Sequence, residues 1–203
     1  MSAGTARRLT RGHDEHRDRD GNRRDRQLEH LIGRASMKFS FAAVSAVLSI
    51  VMAAGMAGTF FGFSSGVMPG LNAAKPGSAI DAMQGVNQKI QNPVFIAAFL
   101  LVPVLAIAAG ALLLSLGRKP AAALFFAAAA VYLAGALLPS FAVNIPMNES
   151  LDRVAVPGDP AEAARIWSDY AGRWTAWNTV RALASWASLL AMSLGLYLWG
   201  ADT

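Results

Sequence analysis

The sequence predicts an all-α integral membrane protein: a four-helix bundle with two long extracytoplasmic loops containing short helices, preceded by a disordered basic N-terminal tail. Three observations predict it. Of the 203 residues, 54% are hydrophobic and 15% are charged, against about 25% charged in an ordinary soluble domain. Charges vanish over four stretches: between Lys38 and Lys75, Lys89 and Arg118, Lys119 and Glu149, and Arg181 and Asp202. Each stretch holds a window of about 20 apolar residues, the length that crosses a bilayer. The windows are 40–63, 94–116, 121–143 and 179–200.

The chain divides into a charged tail, 1–37, and a transmembrane domain, 38–203. The tail, as in "RGHDEHRDRDGNRRDRQ", mixes charges and has almost no apolar content, which predicts disorder. Met37 stands directly before the first span, so it is a second candidate start of translation beside Met1. The first window is too long and too far along the chain for a cleaved signal peptide.

Orientation follows from Lys and Arg near the span ends. Residues 1–38 carry ten of them, and the 117–120 turn carries Arg118 and Lys119. The 144–178 loop sets Arg153, Arg165 and Arg173 against Glu149, Asp152, Asp159, Glu162 and Asp169. Both termini are expected in the cytoplasm and both long loops outside a plasma (inner) membrane. The sequence pI near 10.1 is thus a matter of topology: the expected contact is membrane lipid, with no nucleic acid.

Cysteine is absent, which excludes disulfides, thiol catalysis and iron–sulfur clusters. His13, His16 and His30 all lie in the tail, so no span supplies a histidine to haem, copper or zinc. No cofactor and no metal are expected.

In span 1, Ala54, Gly58, Gly62 and Gly66 are four apart and form a smooth face for close helix approach or for a flat ligand. In the first outer loop, Ser78 and Asp81 read as a capping box, so a short helix is expected to start near Ala79. Along it Gln84, Asn87 and Gln91 make an amide face beside Met83, either for solvation or for a ligand. Pro93 opens span 2, and Pro103 is expected to bend it. Span 3 ends in "FAVNIPMNESLD", where Pro146 predicts unwinding near Ile145, with Asn144 and Asn148 free to satisfy released backbone groups or to line a pocket. Asp159, Pro160 and Glu162 read as N-cap, N1 and N3 of the last helix. Run to Gly200, that helix is about 60 Å long at 1.5 Å per residue, so it either stands above the bilayer or breaks, with Gly172 as the breaking point.

Trp167, Tyr170, Trp174, Trp177 and Arg181 recur at intervals of 3, 4, 3 and 4, with Asn178 alongside. Trp and Tyr favour the membrane interface, and an arginine one turn inside can snorkel to it. An ionisable group inside a span otherwise faces the bundle interior and a partner. The candidates are Glu149, Asp152, Asn144 and Asn148. Aromatic walls, amides and one buried guanidinium suit a planar, apolar, weakly acidic molecule.

The stretches "GTFFGFSSGVMPGL", "AMQGVNQKIQNPVF", "NIPMNESLD" and "RWTAWNTVR" resemble the anthrone oxygenase-like family of small membrane proteins, over about residues 40–200. The resemblance implies a four-helix bundle and, for the fungal members, oxidation of an anthrone to an anthraquinone by molecular oxygen without an evident cofactor. It carries no catalytic set onto this chain. Position alone makes Arg181, Asn178 and Asn144 the candidate oxyanion donors, with Glu149 or Asp152 the base. Trp174, Trp177, Asn148, Gln84, Asn87 and Met83 are the candidate substrate contacts. Three readings stand side by side: an oxygenase acting on a flat aromatic, a non-catalytic quinone or lipid binder, and a structural membrane subunit. A cavity lined by Trp177, Asn178, Arg181 and Asn144 separates the first two from the third.

Overall fold

Gly117 is the one described residue with a positive φ, at 79°, and it turns the chain between two of the long apolar helices. It follows a helix at Pro93–Ser115, α4. The Gly117 N–H donates to Leu114 O at 3.0 Å and the Arg118 N–H to Leu113 O at 2.9 Å. This is the Schellman pattern, in which a left-handed glycine ends a helix while satisfying its last carbonyls. The chain then re-enters helix at Lys119–Tyr132, α5, which packs along α4.

The computed structural model describes the backbone of residues 3–201, and side chains at 23, 26–34 and 36–201. The chain is all-helical, with no strand among the described residues. The other helices are α1 (Ala3–Gly62), α2 (Met68–Ala73), α3 (Pro76–Ile90), α6 (Ile145–Asp152) and α7 (Pro160–Ala201). Four stretches are long and apolar enough to cross a membrane: Arg26–Ala73, Pro93–Ser115, Lys119–Asp152 and Pro160–Ala201. The chain splits into two units, Met1–Phe41 and Ala42–Thr203. The first is helical from Ala3, where the charge pattern predicts disorder; Arg, Gln, Glu and Leu are good helix formers, and no proline interrupts before Pro69.

Three wide π-helical turns interrupt the α geometry: Phe63–Val67, Leu133–Leu137 and Ser140–Asn144. Each ends two residues before a proline: Pro69, Pro139 and Pro146. A proline lacks the N–H of its turn, and its ring collides with the carbonyl four residues back. Those carbonyls belong to Ser65, Gly135 and Ala142, one inside each wide turn. The extra residue moves the carbonyl aside, so the helix continues. The unwinding expected near Ile145 therefore does not occur; Asn144 and Ile145 both keep right-handed helical angles.

Two other expectations change. Helix α3 starts at Pro76, three residues before Ala79, because proline at the first helical position fixes the entry. Helix α7 is unbroken through Gly172 over 42 residues, about 63 Å at 1.5 Å per residue. An isolated glycine lowers helix propensity by about 1 kcal/mol, less than packing supplies. Asp159 caps its start, accepting from the Ala161 N–H at 3.1 Å.

Two apolar clusters hold the second unit. One runs between the spans, through Phe125, Tyr132 and Met192, and the other joins α2, α3, α6 and the start of α7 through Met68, Ile80 and Trp167. The close backbone approaches are not on the glycine face of span 1, where Gly58, Gly62 and Gly66 have open space around them. They fall at Gly135 against Ala184, at Gly110 against the Phe126 ring, and at Gly195 against the Phe125 ring.

Candidate functional site

Helix α7 carries the site, because its buried stripe faces the wide turns of two other spans. Trp167, Tyr170, Trp174, Asn178 and Arg181 are all buried. Trp177, expected among them, is 38% exposed. At about 100° per residue, Asn178 lies about 40° from Trp174 around the helix and Trp177 about 60° away on the other side. Spacing that averages 3.5 drifts off a 3.6-residue face, and Trp177 is the residue that falls off it.

Arg181 is 8% exposed. Its Nη1 donates to Ser140 Oγ at 3.1 Å and its Nη2 to Asn178 Oδ1 at 2.7 Å. The guanidinium carbon sits 4.5 Å from the Phe60 ring centroid and 5.4 Å from that of Trp174. The side chain does not snorkel. Among the described residues it has no ion pair, and its Nε is buried without a hydrogen-bond partner. The partners expected for it, Glu149, Asp152, Asn144 and Asn148, make their hydrogen bonds to other groups. A buried cation held only by neutral groups is costly unless its hydrogen bonds and surrounding π faces compensate it.

Asn178 ties this charge to span 1. Its Nδ2 donates to Phe60 O and to Ser64 Oγ, each at 2.7 Å, and the Ser64 hydroxyl lies 2.9 Å from that of Thr179. Ser140 passes the chain on, donating to Ala136 O at 2.7 Å. Asn144 is fully buried behind the site, with Nδ2 donating to Trp174 O at 3.2 Å and Oδ1 unpartnered. Asn148 Oδ1 accepts from Tyr170 Oη at 2.9 Å and Trp174 Nε1 at 2.7 Å.

The upper helices are stitched by the expected amide face. Gln84 Nε2 donates to the carbonyls of Leu151 and Val154, each at 2.8 Å, which ends α6. Asn87 Nδ2 donates to Asp152 Oδ1 at 3.1 Å. Glu149 is exposed and pairs with Arg153 at 3.4 Å.

These groups surround a cavity of about 340 Å³. Of the residues singled out by sequence, Arg181, Asn178, Trp174, Asn148, Glu149, Asn87 and Met83 line it; Asn144, Asp152, Gln84 and Trp177 do not. The sequence reading missed the opposing wall, formed by Phe60 and Phe63 of the first span, Phe95 and Phe99 of α4, and Ser140 and Phe141 of the third. Phe95 and Phe99 stack at 6.0 Å between centroids, and Phe60 meets Phe99 edge-on at 6.3 Å. A signal existed: Phe95 and Phe99 are spaced i, i+4, and Ser140, Asn144 and Asn148 make a polar row at the same spacing. No group of three or more His, Asp or Glu side chains comes together among the described residues.

Comparison with curated proteins and with solved structures returns no match for this chain. The family model described as "Anthrone oxygenase" matches residues 88–191, a span that takes in Ser140, Asn144, Asn148, Glu149, Trp174, Asn178 and Arg181. A match over that share of the chain, with four membrane-length helices around one aromatic cavity, makes this protein a member of the anthrone oxygenase family.

Proposed function

We propose that the chain is a membrane-embedded, cofactor-free oxygenase that converts a planar anthrone-type ketone to the corresponding quinone. One observation carries the reading: a buried guanidinium with only neutral partners faces an aromatic-walled cavity. The cavity volume lies in the ~300–1,000 Å³ range of small-molecule sites, which favours a ligand over a purely structural subunit.

In this reading Glu149, the one carboxylate lining the cavity, removes a proton from the CH₂ opposite the ketone. The electron pair moves onto the ketone oxygen, and Arg181 stabilises the enolate as a preorganised donor. Asn178 and Ser140 fix the guanidinium. Asp152, engaged by Asn87 and outside the cavity, is not the base. The enolate carbon bonds to O₂, and the resulting peroxide loses its remaining C–H proton as the O–O bond breaks. One oxygen stays as the new carbonyl and the other leaves as water, so O₂ takes up the four electrons that the carbon gives. The walls from Phe60, Phe99 and Trp174 hold the flat ring system and exclude water. The surrounding membrane is the plasma (inner) membrane, with the cavity end of the bundle outward and both termini in the cytoplasm.

The test is oxygen uptake by the full chain in phosphatidylcholine nanodiscs supplied with anthrone. Uptake with one water and one quinone formed per O₂ is expected. Arg181→Ala that folds and turns over anthrone at the original rate overturns the assignment. Tight quinone binding with no uptake leaves the chain a carrier.

A further inference from the structure

The cavity has two different edges. Toward the end of the bundle occupied by α3 and α6, its rim is polar, with Gln91 and Glu149 exposed. On its flank, between α4 and the third span, the lining residues Ile96, Leu100 and Phe141 are apolar and 43%, 41% and 56% exposed. Residues that line a cavity and also reach the outside mark where it opens.

The backbone explains the opening. Helix α4 packs along α5, Lys119–Tyr132, but not closely against the wide turn Ser140–Asn144 that continues it. The two spans are held together by the Gly117 turn at one end and part at the other, beyond the turns that accommodate Pro139 and Pro146. Phe141 reaches across to Phe99, at 6.4 Å between centroids. Ile96 and Leu100 lie three and seven residues inside the start of α4, about 5 to 11 Å along its axis. Both lie inside Pro93–Ser115, one of the stretches long and apolar enough to cross a membrane.

We infer that this flank is a lateral portal, and that the substrate enters from the lipid between Leu100 and Phe141 and not from water past Gln91. An apolar lip facing hydrocarbon is compatible with its surroundings when open, whereas the polar rim imposes desolvation on any molecule that crosses it. A planar aromatic that partitions into the bilayer reaches this edge already free of water. Phe141 acts as the aromatic gate of this portal. The inference rests on the reading of the cavity as a substrate site.

Its test uses the absence of cysteine. Single replacements Leu100→Cys, Phe141→Cys and Gln91→Cys are made in the full chain, folded into phosphatidylcholine nanodiscs and labelled with N-phenylmaleimide, labelling being checked by mass. Because the label is added after folding, each variant is its own folded control. Anthraquinone, which is not consumed, is the probe, and its entry is followed by quenching of tryptophan emission. Labels at Leu100→Cys and Phe141→Cys slow entry by about tenfold, while the label at Gln91→Cys changes it by less than about twofold. The reverse pattern overturns the portal, as does failure of the unlabelled protein to bind anthraquinone. Oxygen uptake with anthrone is read separately: the expected entry pattern without uptake upholds the portal and removes the oxygenase reading, and uptake with the reverse pattern does the opposite.

Discussion

Arg181 and Asn178 sit one turn apart on α7, joined at 2.7 Å through Nη2 and Oδ1. The asparagine directs its amide hydrogens to Phe60 O and Ser64 Oγ of the first span, so its oxygen is left for the guanidinium. An amide there orients the cation without neutralising it.

Asn178→Asp tests that point. The carboxylate places a negative charge beside Arg181 and removes both amide donors. Turnover of anthrone is expected to fall by about 10²-fold or more, the scale of losing one preorganised donor. Steady-state oxygen uptake checks it, with circular dichroism to confirm the helices.

Arg181→Lys keeps the charge but loses the fork that reaches Ser140 and Asn178 together. Arg181→Met removes the charge and leaves Asn178 Oδ1 buried without its donor, at a cost of about 1–3 kcal/mol. The expected order of turnover is Arg, then Lys, then Met. The unfolding midpoint in mixed micelles is expected to fall modestly in the methionine variant, since loss of the buried cation offsets part of the cost.

Glu149→Gln and Asp152→Asn separate the two carboxylates. Loss of a general base reduces rate by about 10²–10⁴-fold, and this is expected for Glu149→Gln with anthraquinone binding retained. Asp152→Asn is expected to leave kcat within about threefold, because Asp152 engages Asn87 outside the cavity. Parallel kcat and binding titrations distinguish the cases.

Gly135→Ala sets a new Cβ against Ala184 and is expected to destabilise by about 1–3 kcal/mol, as overpacking does. Gly58→Ala meets nothing within 4 Å and is expected to stabilise by up to about 1 kcal/mol through helix propensity. Unfolding midpoints of the two variants in one detergent check both signs.

The four spans were legible in the sequence because an uncharged apolar run of membrane length is rare in a water-soluble fold. Asp159 as a cap and the α7 stripe as a face were legible too, since both are local. What stayed hidden depends on partners distant along the chain. No pattern around Arg181 says that Ser140, 41 residues away, is its second acceptor, so Glu149, Asp152, Asn144 and Asn148, expected on the same outer side, stood in for it. The glycine row of span 1 is a feature of one helix; whether a second backbone comes close is decided by the other three, and the close approach went to Gly135. Pro146 marks a disturbed turn correctly, but a proline's local preference cannot distinguish unwinding from one inserted residue.

The uninterrupted 42-residue rod of α7 also constrains how the pocket can breathe. Trp174, Asn178 and Arg181 share it with Trp167 and Tyr170, so a tilt of the helix carries all five together. Any change in the width of the cavity then falls to the facing span, where the wide turns after Tyr132 interrupt the α-helical register.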